Sequence, residues 1–310
     1  MTSMPIAVHP PRNSAGTLLR DYAELTKVRV TSLIVLTAWC GYYFGALRNG
    51  ASSLSWGLFH ALLGIGLVSG GTAALNEVME WQVDRRMRRT ANRPLPSGRM
   101  SLVHGTTAGV LLTVGGAFYL AFAANTLTGL LALATAFVYL AAYTPLKRVH
   151  PICTFVGAIP GAMPGVLGWT AARGKLELGA LVMFAIVFFW QFPHFYSIAW
   201  LYREDYAAGD IRMLPVLEER GAVTGHQILV YSLALIPVSL SPVLFGMAGR
   251  AYAVGAIVMG IGLCYFGLRL ARAGLPMNAP RSKQRARQLL QASIVYLPLL
   301  FALMMVNVVR

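Results

Sequence analysis

Three oxygen-bearing side chains, Asn76, Glu80 and Asp84, recur at intervals of four residues at the end of an apolar, glycine-rich stretch. Residues four apart share one face of an α-helix, and the three side chains would therefore point into one pocket. Oxygen ligands suit a hard cation, and Mg²⁺ is bound in proteins by a few carboxylates together with the phosphates of a substrate. The spacing predicts a magnesium site at the end of a helix.

The segment that follows is rich in arginine: Arg85, Arg86, Arg88, Arg89, Arg93 and Arg99. Guanidinium groups bind phosphate oxygens, so these side chains suit the anion that a metal would share. The competing interpretation is a solvated helix end with a local ion pair between Asp84 and Arg88. Ionisable groups at the edge of an apolar run are costly and are functional as a rule, which favours a metal–diphosphate site.

A second acidic group lies between His194 and Pro215. Asp205 and Asp210 flank a glycine and are candidates for binding a second cation. His194 precedes Asp205 by eleven residues, close to three helical turns, which would place both on one face of a continuous helix. A loop with ordinary surface acids has the same composition. Taken together with the first group, the second predicts two halves of one pocket.

Two further motifs have a functional and a structural interpretation. In YTPLKR, Lys147 and Arg148 could contact a diphosphate, or they could anchor the chain at a membrane surface with Tyr143 in the interfacial belt. The stretch GAIPGAMPGVLGW, residues 157–169, could line a cavity as a broken helix or allow two helices to approach closely. The residues alone leave both alternatives open.

The composition sets the fold class. Of 310 residues, 56% are hydrophobic and 12% are charged, and long apolar runs recur without the alternation typical of a membrane barrel. We therefore predict an all-α polytopic membrane protein, in which residues 1–22 are a flexible cytoplasmic N-terminal segment and residues 23–310 a single intramembrane domain. Nine transmembrane helices are expected at about 30–47, 57–80, 101–123, 126–143, 152–171, 178–201, 224–247, 251–270 and 288–308.

The distribution of charge predicts the orientation. The net charge is +15, but all except five of the 26 lysines and arginines fall in segments that an N-in, C-out topology places inside. The five exceptions are Arg48, Arg173, Lys175, Arg250 and Arg310. This asymmetry follows the positive-inside rule and argues against nucleic-acid binding. The three cysteines are scattered within apolar runs, which indicates neither a zinc site nor a disulfide framework.

The order of the motifs resembles a known family. N-x3-E-x3-D followed by M-x-RT-x2-RPL, read from Asn76 to Leu95, is similar to the signature of the intramembrane prenyltransferase superfamily. TKVRV, YTPLKR, the glycine- and proline-rich stretch, PHF, EDY and SIVYLPLLF follow in the order found in its protohaem IX farnesyltransferase (haem O synthase) branch. The resemblance covers residues 22–306, and Glu80 replaces the aspartate usual in the wider superfamily.

The resemblance implies nine helices around a central cavity and a Mg²⁺-dependent reaction. The farnesyl group of farnesyl diphosphate would pass to the 2-vinyl group of haem B through an allylic cation. Metal ligands would be Asn76, Glu80, Asp84, Asp205 and Asp210, and the first four together with Lys147 would be catalytic. Substrate would be bound by Tyr143, Lys147, Arg148, Arg89, Arg93 and His194.

The resemblance also implies a place and partners. The protein would be a multi-pass protein of a bacterial inner membrane with its active site facing the cytoplasm. Membrane lipid, haem B and farnesyl diphosphate would be its partners, and haem A synthase and terminal oxidase assembly proteins are candidate protein partners. Three alternatives remain at this stage: prenylation of an aromatic quinone precursor, a cation-coupled transporter, and a non-catalytic assembly factor for an oxidase.

Overall fold

The computed structural model describes residues 15–48, 50, 52–272 and 274–309, and within these ranges the chain is helical without a strand. The α-helices are α1 (Ala15–Leu25), α2 (Val28–Arg48), α3 (Trp56–Asp84), α4 (Leu102–Ala123), α5 (Thr126–Phe137), α6 (Thr144–Leu146), α7 (Cys153–Arg173), α8 (Leu178–Leu201), α9 (Arg203–Ala208), α10 (Leu214–Leu217), α11 (Ala222–Leu244), α12 (Arg250–Ala271) and α13 (Pro280–Val306). A π-helical segment, Val138–Tyr143, joins α5 to α6.

Nine membrane spans are present in the described part of the chain, which confirms the predicted fold class. Eight are single helices, and the fourth runs from Thr126 to Leu146 through the π-helical segment. Helices suit this environment because each satisfies its own backbone hydrogen bonds in lipid. Several begin at a side-chain cap: Ser55, Ser101 and Asn125 each accept a hydrogen bond from the backbone amide of the third residue of the helix.

Predicted and observed bounds differ most at the last span. α13 begins at Pro280, eight residues before the predicted start at 288, and its first turns carry Arg281, Lys283, Arg285 and Arg287. Hydropathy cannot detect these turns because they are polar, yet proline is favourable in the first turn of a helix. α3 likewise continues to Asp84, beyond the apolar run predicted to end at 80.

The spans pack as two groups joined along α7 and α8. α2, α3, α4, α5 and α7 form one closed sequence of neighbours, and α8, α11, α12 and α13 form the other. α2 and α7 approach so closely that a Cβ atom at Gly168 would overlap the carbonyl oxygen of Ala38. α7 continues through Pro160 and Pro164, so its small residues serve close helix packing and the helix is not broken.

The N-terminal part differs from the prediction. Residues 1–14, including Arg12, lie outside the described residues, as does Arg310 at the other end. From Ala15 the chain forms helix α1 in place of the predicted flexible segment. Asp21 is buried there and pairs with Arg99 at 2.9 Å, and Glu24 pairs with the same arginine at 2.8 Å. These contacts tie α1 to the loop between α3 and α4.

The close approach of α2 and α7 can be tested with two glycine variants. We expect Gly168→Ala to lower the free energy of unfolding by about 1–3 kcal/mol, because the added methyl group meets backbone that cannot move aside. Gly115→Ala is the control, since a Cβ at Gly115 meets nothing within 4 Å. Thermal unfolding in detergent measures both. Equal melting temperatures for the two variants would contradict the packing described here.

Candidate active site

The polar end of α3 carries the three side chains singled out by their spacing. Asn76 donates from Nδ2 to Glu80 Oε2 at 2.9 Å, which confirms that these positions share a face. Asn76 and Asp84 are each only 2% exposed. The chain can bury them here because α3 continues beyond its apolar run into the space between the interhelical loops. Three oxygen-bearing groups therefore line one side of this helix end.

Each of these three groups contacts a different cation. Lys27 Nζ donates to Asn76 Oδ1 at 2.9 Å, Lys147 Nζ lies 2.7 Å from Glu80 Oε1, and Arg93 donates to Asp84 Oδ2 at 2.6 Å. The cations come from three separate loops, those before α2, after α6 and after α3. Asp84 thus pairs with Arg93, and not with Arg88 as the competing interpretation of a solvated helix end would require. Lys27 contacts a neutral amide and, among the described residues, pairs with no carboxylate, so its charge is suited to an added anion.

Lys27 is the functional candidate that the sequence analysis missed. It was counted only as an inside charge, although it lies in the motif TKVRV that contributed to the resemblance. Burial, and after it the nearby charges of Arg93 and Lys147, lower the pKa of Lys27 to about 8, and the opposing effect of Glu80 and Asp84 is smaller. The crowded positive charge is therefore unfavourable until a negative ligand arrives.

The π-helical segment turns polar and aromatic side chains toward α3. Thr144 accepts a hydrogen bond from Asn76 Nδ2 at 3.2 Å and donates to the carbonyl of Tyr139 at 2.9 Å. The ring of Tyr143 lies 4.8 Å from Lys147 Nζ and 5.1 Å from the ring of Tyr139. Such π-helical turns occur frequently at functional sites. The spacing of residues in the sequence does not predict this π-helical segment, because the extra residue in its turn depends on packing against α3 and α7.

The second acidic group reaches the same region through its loop. Asp210 pairs with Arg86 at 2.6 Å, but both side chains are more than half exposed, so this pair contributes little. Asp205 is partly buried and makes no side-chain hydrogen bond or ion pair with any described residue. Arg89 lies over the rings of Tyr202 and Tyr206, at 5.4 and 5.8 Å. The two predicted halves are therefore adjacent, with Asp205 still unpaired.

Apolar contacts hold the two loops together. Val83 and Met87 from the end of α3 pack with Ile211 and Met213, which follow α9. The amide of Arg212 also donates to the carbonyl of Lys147 at 2.7 Å. Burying these side chains removes apolar surface from water and fixes the loops against one another. This small core positions Lys147 beside the carboxylates of α3.

Two predicted substrate residues lie apart from the charged cluster. α8 ends at Leu201, and the break at Tyr202 removes the continuous helix on which the common face of His194 and Asp205 depended. His194 instead stacks on Trp190 at 4.6 Å and lies 2.9 Å from Ser293 on α13. Arg148 is exposed on the loop after α6. Their roles in binding substrate remain predictions.

The side chains at this end of α3 offer oxygen donors of the kind that Mg²⁺ binds. In the described ranges no three His, Cys, Asp or Glu side chains converge closely enough to enclose a metal by themselves. Glu80 and Asp84 nevertheless offer two carboxylates beside the amide of Asn76, and Mg²⁺ is typically bound by one or two carboxylates with substrate phosphates completing its shell. The residues therefore fit a metal that arrives together with a diphosphate.

Glu77 is buried on α3 seven residues before Asp84, nearly in line with it along the helix, and it stabilises the fold of the arginine-rich loop. Its Oε1 accepts from the amide of Leu95 at 3.3 Å, and the Thr90 hydroxyl donates to the carbonyl of Asp84 at 2.9 Å. These bonds turn the chain back at the end of α3. Arg93 is thereby directed toward Asp84.

Comparison with known proteins agrees with this architecture. The model of the UbiA prenyltransferase family matches residues 34–274. A curated relative from Koribacter versatilis, named protoheme IX farnesyltransferase, is 58% identical over 305 residues and covers 98% of both chains.

Solved structures share the fold. A digeranylgeranylglyceryl phosphate synthase superposes with a TM-score of 0.75 at 16% identity, covering 93% of this chain and 98% of that one. A UbiA homolog from Archaeoglobus fulgidus bound to GPP and Mg²⁺ gives a TM-score of 0.58 at 18% identity, covering 92% and 99%. The resemblance in the motifs is confirmed, and the chain is an intramembrane enzyme that belongs to the UbiA prenyltransferase family.

Proposed function

We propose that this prenyltransferase transfers the farnesyl group of farnesyl diphosphate to the 2-vinyl group of haem B and forms haem O. The observation that carries the proposal is the convergence of Glu80 and Asp84 with Lys27, Lys147 and Arg93 at the end of α3. Paired carboxylates and clustered cations together suit a metal diphosphate. The acceptor is proposed from the curated relative's name and its 58% identity over nearly the whole chain.

Binding of the diphosphate would exchange the partners of the charged side chains. Lys147 and Arg93 would turn from Glu80 and Asp84 to the phosphate oxygens, which releases the two carboxylates to hold Mg²⁺. The metal, when bound, would neutralise negative charge that develops on the departing diphosphate. The fold neighbour with GPP and Mg²⁺ supports a metal in this chemistry. Because cations and carboxylates are already in place, little rearrangement of charge is needed during the reaction.

The bond changes follow from the substrates. The C–O bond between the farnesyl group and the diphosphate breaks and leaves an allylic cation, to which the vinyl group supplies its electron pair. A carbon–carbon bond forms, and water adds to the remaining vinyl carbon with loss of a proton. Tyr143, whose ring already lies against Lys147, is proposed to face the allylic cation through its π electrons.

The membrane placement is proposed from the same features. The chain is a multi-pass membrane protein, and the positive-inside asymmetry supports N-in, C-out insertion in a bacterial inner membrane. The charged cluster would then face the cytoplasm. We also keep Asp205, Asp210, Arg89, Arg148 and His194 as proposed ligands of metal or substrate. Haem A synthase and terminal oxidase assembly proteins are proposed as partners that receive the product.

The reaction can be tested with purified protein in lipid, supplied with haem B, farnesyl diphosphate and Mg²⁺. We expect mass spectrometry to detect haem carrying a hydroxyethylfarnesyl group, and chelation of the metal to abolish it. Prenylation of a hydroxybenzoate or naphthoate in place of haem would move the enzyme to quinone synthesis. Absence of transfer to any of these acceptors by folded protein would overturn the proposal.

The carboxylates can be tested one at a time. Glu80→Gln, Asp84→Asn and Asp205→Asn are each expected to lower turnover about a hundred- to a thousandfold, the effect of removing one group that stabilises developing charge. Glu204→Gln is the control, because Glu204 is an exposed acid on the same side of the protein and pairs with the partly exposed side chain of Lys283. Near-normal turnover in all three variants would refute the metal assignment.

The cations should affect diphosphate binding more than haem binding. Lys27→Gln and Arg93→Ala are expected to raise the KM for farnesyl diphosphate about ten- to hundredfold, since each removes a charge-assisted hydrogen bond. Arg29→Gln, an exposed cation two residues from Lys27, is the control. Haem affinity measured on the same variants should stay unchanged. An unaltered KM would remove the substituted residue from the site.

A further inference from the structure

A groove lies between α12 and α13, two helices that are distant in sequence from the charged end of α3. It has a volume of about 480 Å³ and is lined mainly by apolar side chains: Met259, Leu263, Phe266, Ala292, Val295 and Leu299. Both helices are membrane spans, so an opening between them adjoins lipid. The lining residues of α13 recur every three or four positions from Gln288 to Leu299, which makes the groove narrow and parallel to the helices.

A basic cavity of about 350 Å³ adjoins one end of this groove. It is lined by Arg269, Arg281, Gln284, Arg285 and Gln288, and Gln288 lines the groove as well. Arg285 donates to the carbonyl of Arg269 at 2.8 Å, which fixes its guanidinium group at the cavity. In the part of the chain that the structure describes, none of these three arginines pairs with a carboxylate.

The basic cavity lies on the same side of the protein as the candidate active site. Trp200, near the end of α8, donates to Ser282 on α13 at 3.0 Å. Glu204, next to Asp205, pairs with Lys283 at 3.1 Å. The arginines therefore lie where the spans α12 and α13 leave the membrane, at the level at which lipid headgroups are found.

We propose that this groove binds one anionic phospholipid, with its phosphate held by Arg269, Arg281 and Arg285 and one acyl chain lying between α12 and α13. From Gln288 to Leu299 the groove extends about 16 Å along α13, close to the ~15 Å depth of one leaflet of the hydrocarbon core. Basic pockets between transmembrane helices are characteristic sites for anionic headgroups. A zwitterionic headgroup would bring its own cation into a cluster of arginines whose described lining contains no acid.

The charge requirement is tested on delipidated protein titrated with phosphatidylglycerol or phosphatidylcholine of the same acyl chains, with bound lipid counted by native mass spectrometry. The double variant Arg281→Gln/Arg285→Gln is expected to lower the affinity for phosphatidylglycerol about thirtyfold. The matched control is Arg272→Gln/Arg287→Gln, which removes two exposed charges nearby that do not line the cavity. Equal affinity of the wild-type protein for both lipids would overturn the proposal.

The acyl chain is tested by filling the groove. A Cβ at Gly262 meets nothing within 4 Å, so Gly262→Leu places a side chain in the groove without a clash in the protein. We expect it to release the bound phosphatidylglycerol, while Gly115→Leu, at another open glycine outside the groove, retains it. The melting temperature confirms that each variant is folded. Undiminished phosphatidylglycerol binding in both the Gly262 and the arginine variants would refute the site. So would variants that lose binding of haem B while they keep binding of phosphatidylglycerol.

Discussion

The structure depends on the neutralisation of carboxylates buried at the end of a membrane span. Glu80 and Asp84 are held among helices, where an unpaired charge is strongly unfavourable. Their countercharges, Lys147 and Arg93, come from different loops, and Lys27 from a third loop contacts the adjacent Asn76. Satisfying these groups therefore brings three distant segments to one place. The contacts that neutralise these buried charges in the fold are therefore also the contacts that make up the candidate site.

The apolar packing around this cluster determines its geometry. Val83, Met87, Ile211 and Met213 join the loops that follow α3 and α9, while α2 and α7 meet nearly backbone to backbone at Gly168. These contacts stabilise helices that have no hydrophobic driving force between them in lipid. The charged groups can then remain close together before a substrate binds. A preorganised cluster of this kind is what electrostatic stabilisation of a leaving group requires.

Two regions of positive charge lie on the same side of the molecule but have different surroundings. The cations near α3 face carboxylates and aromatic rings, whereas the arginines between α12 and α13 pair with no acid among the described residues and adjoin an apolar groove. The first environment suits a metal and a diphosphate, and the second suits an anionic lipid. The positive-inside rule counts the charges of both regions toward the topology. It does not distinguish the two regions, because it takes no account of the residues around each charge.

The sequence by itself determined the spans and the common face of Asn76 and Glu80. Both are local properties, since a span needs about 20 apolar residues and a helix repeats every 3.6. Only the tertiary structure decided that Lys27 joins the site, that Asp84 pairs with Arg93, and that His194 turns toward Ser293. Each of these depends on how a helix ends, as at Tyr202, or on which distant loop packs against α3. Such contacts join residues whose separation in the chain carries no periodic signal, and burial selects them only once the helices are assembled.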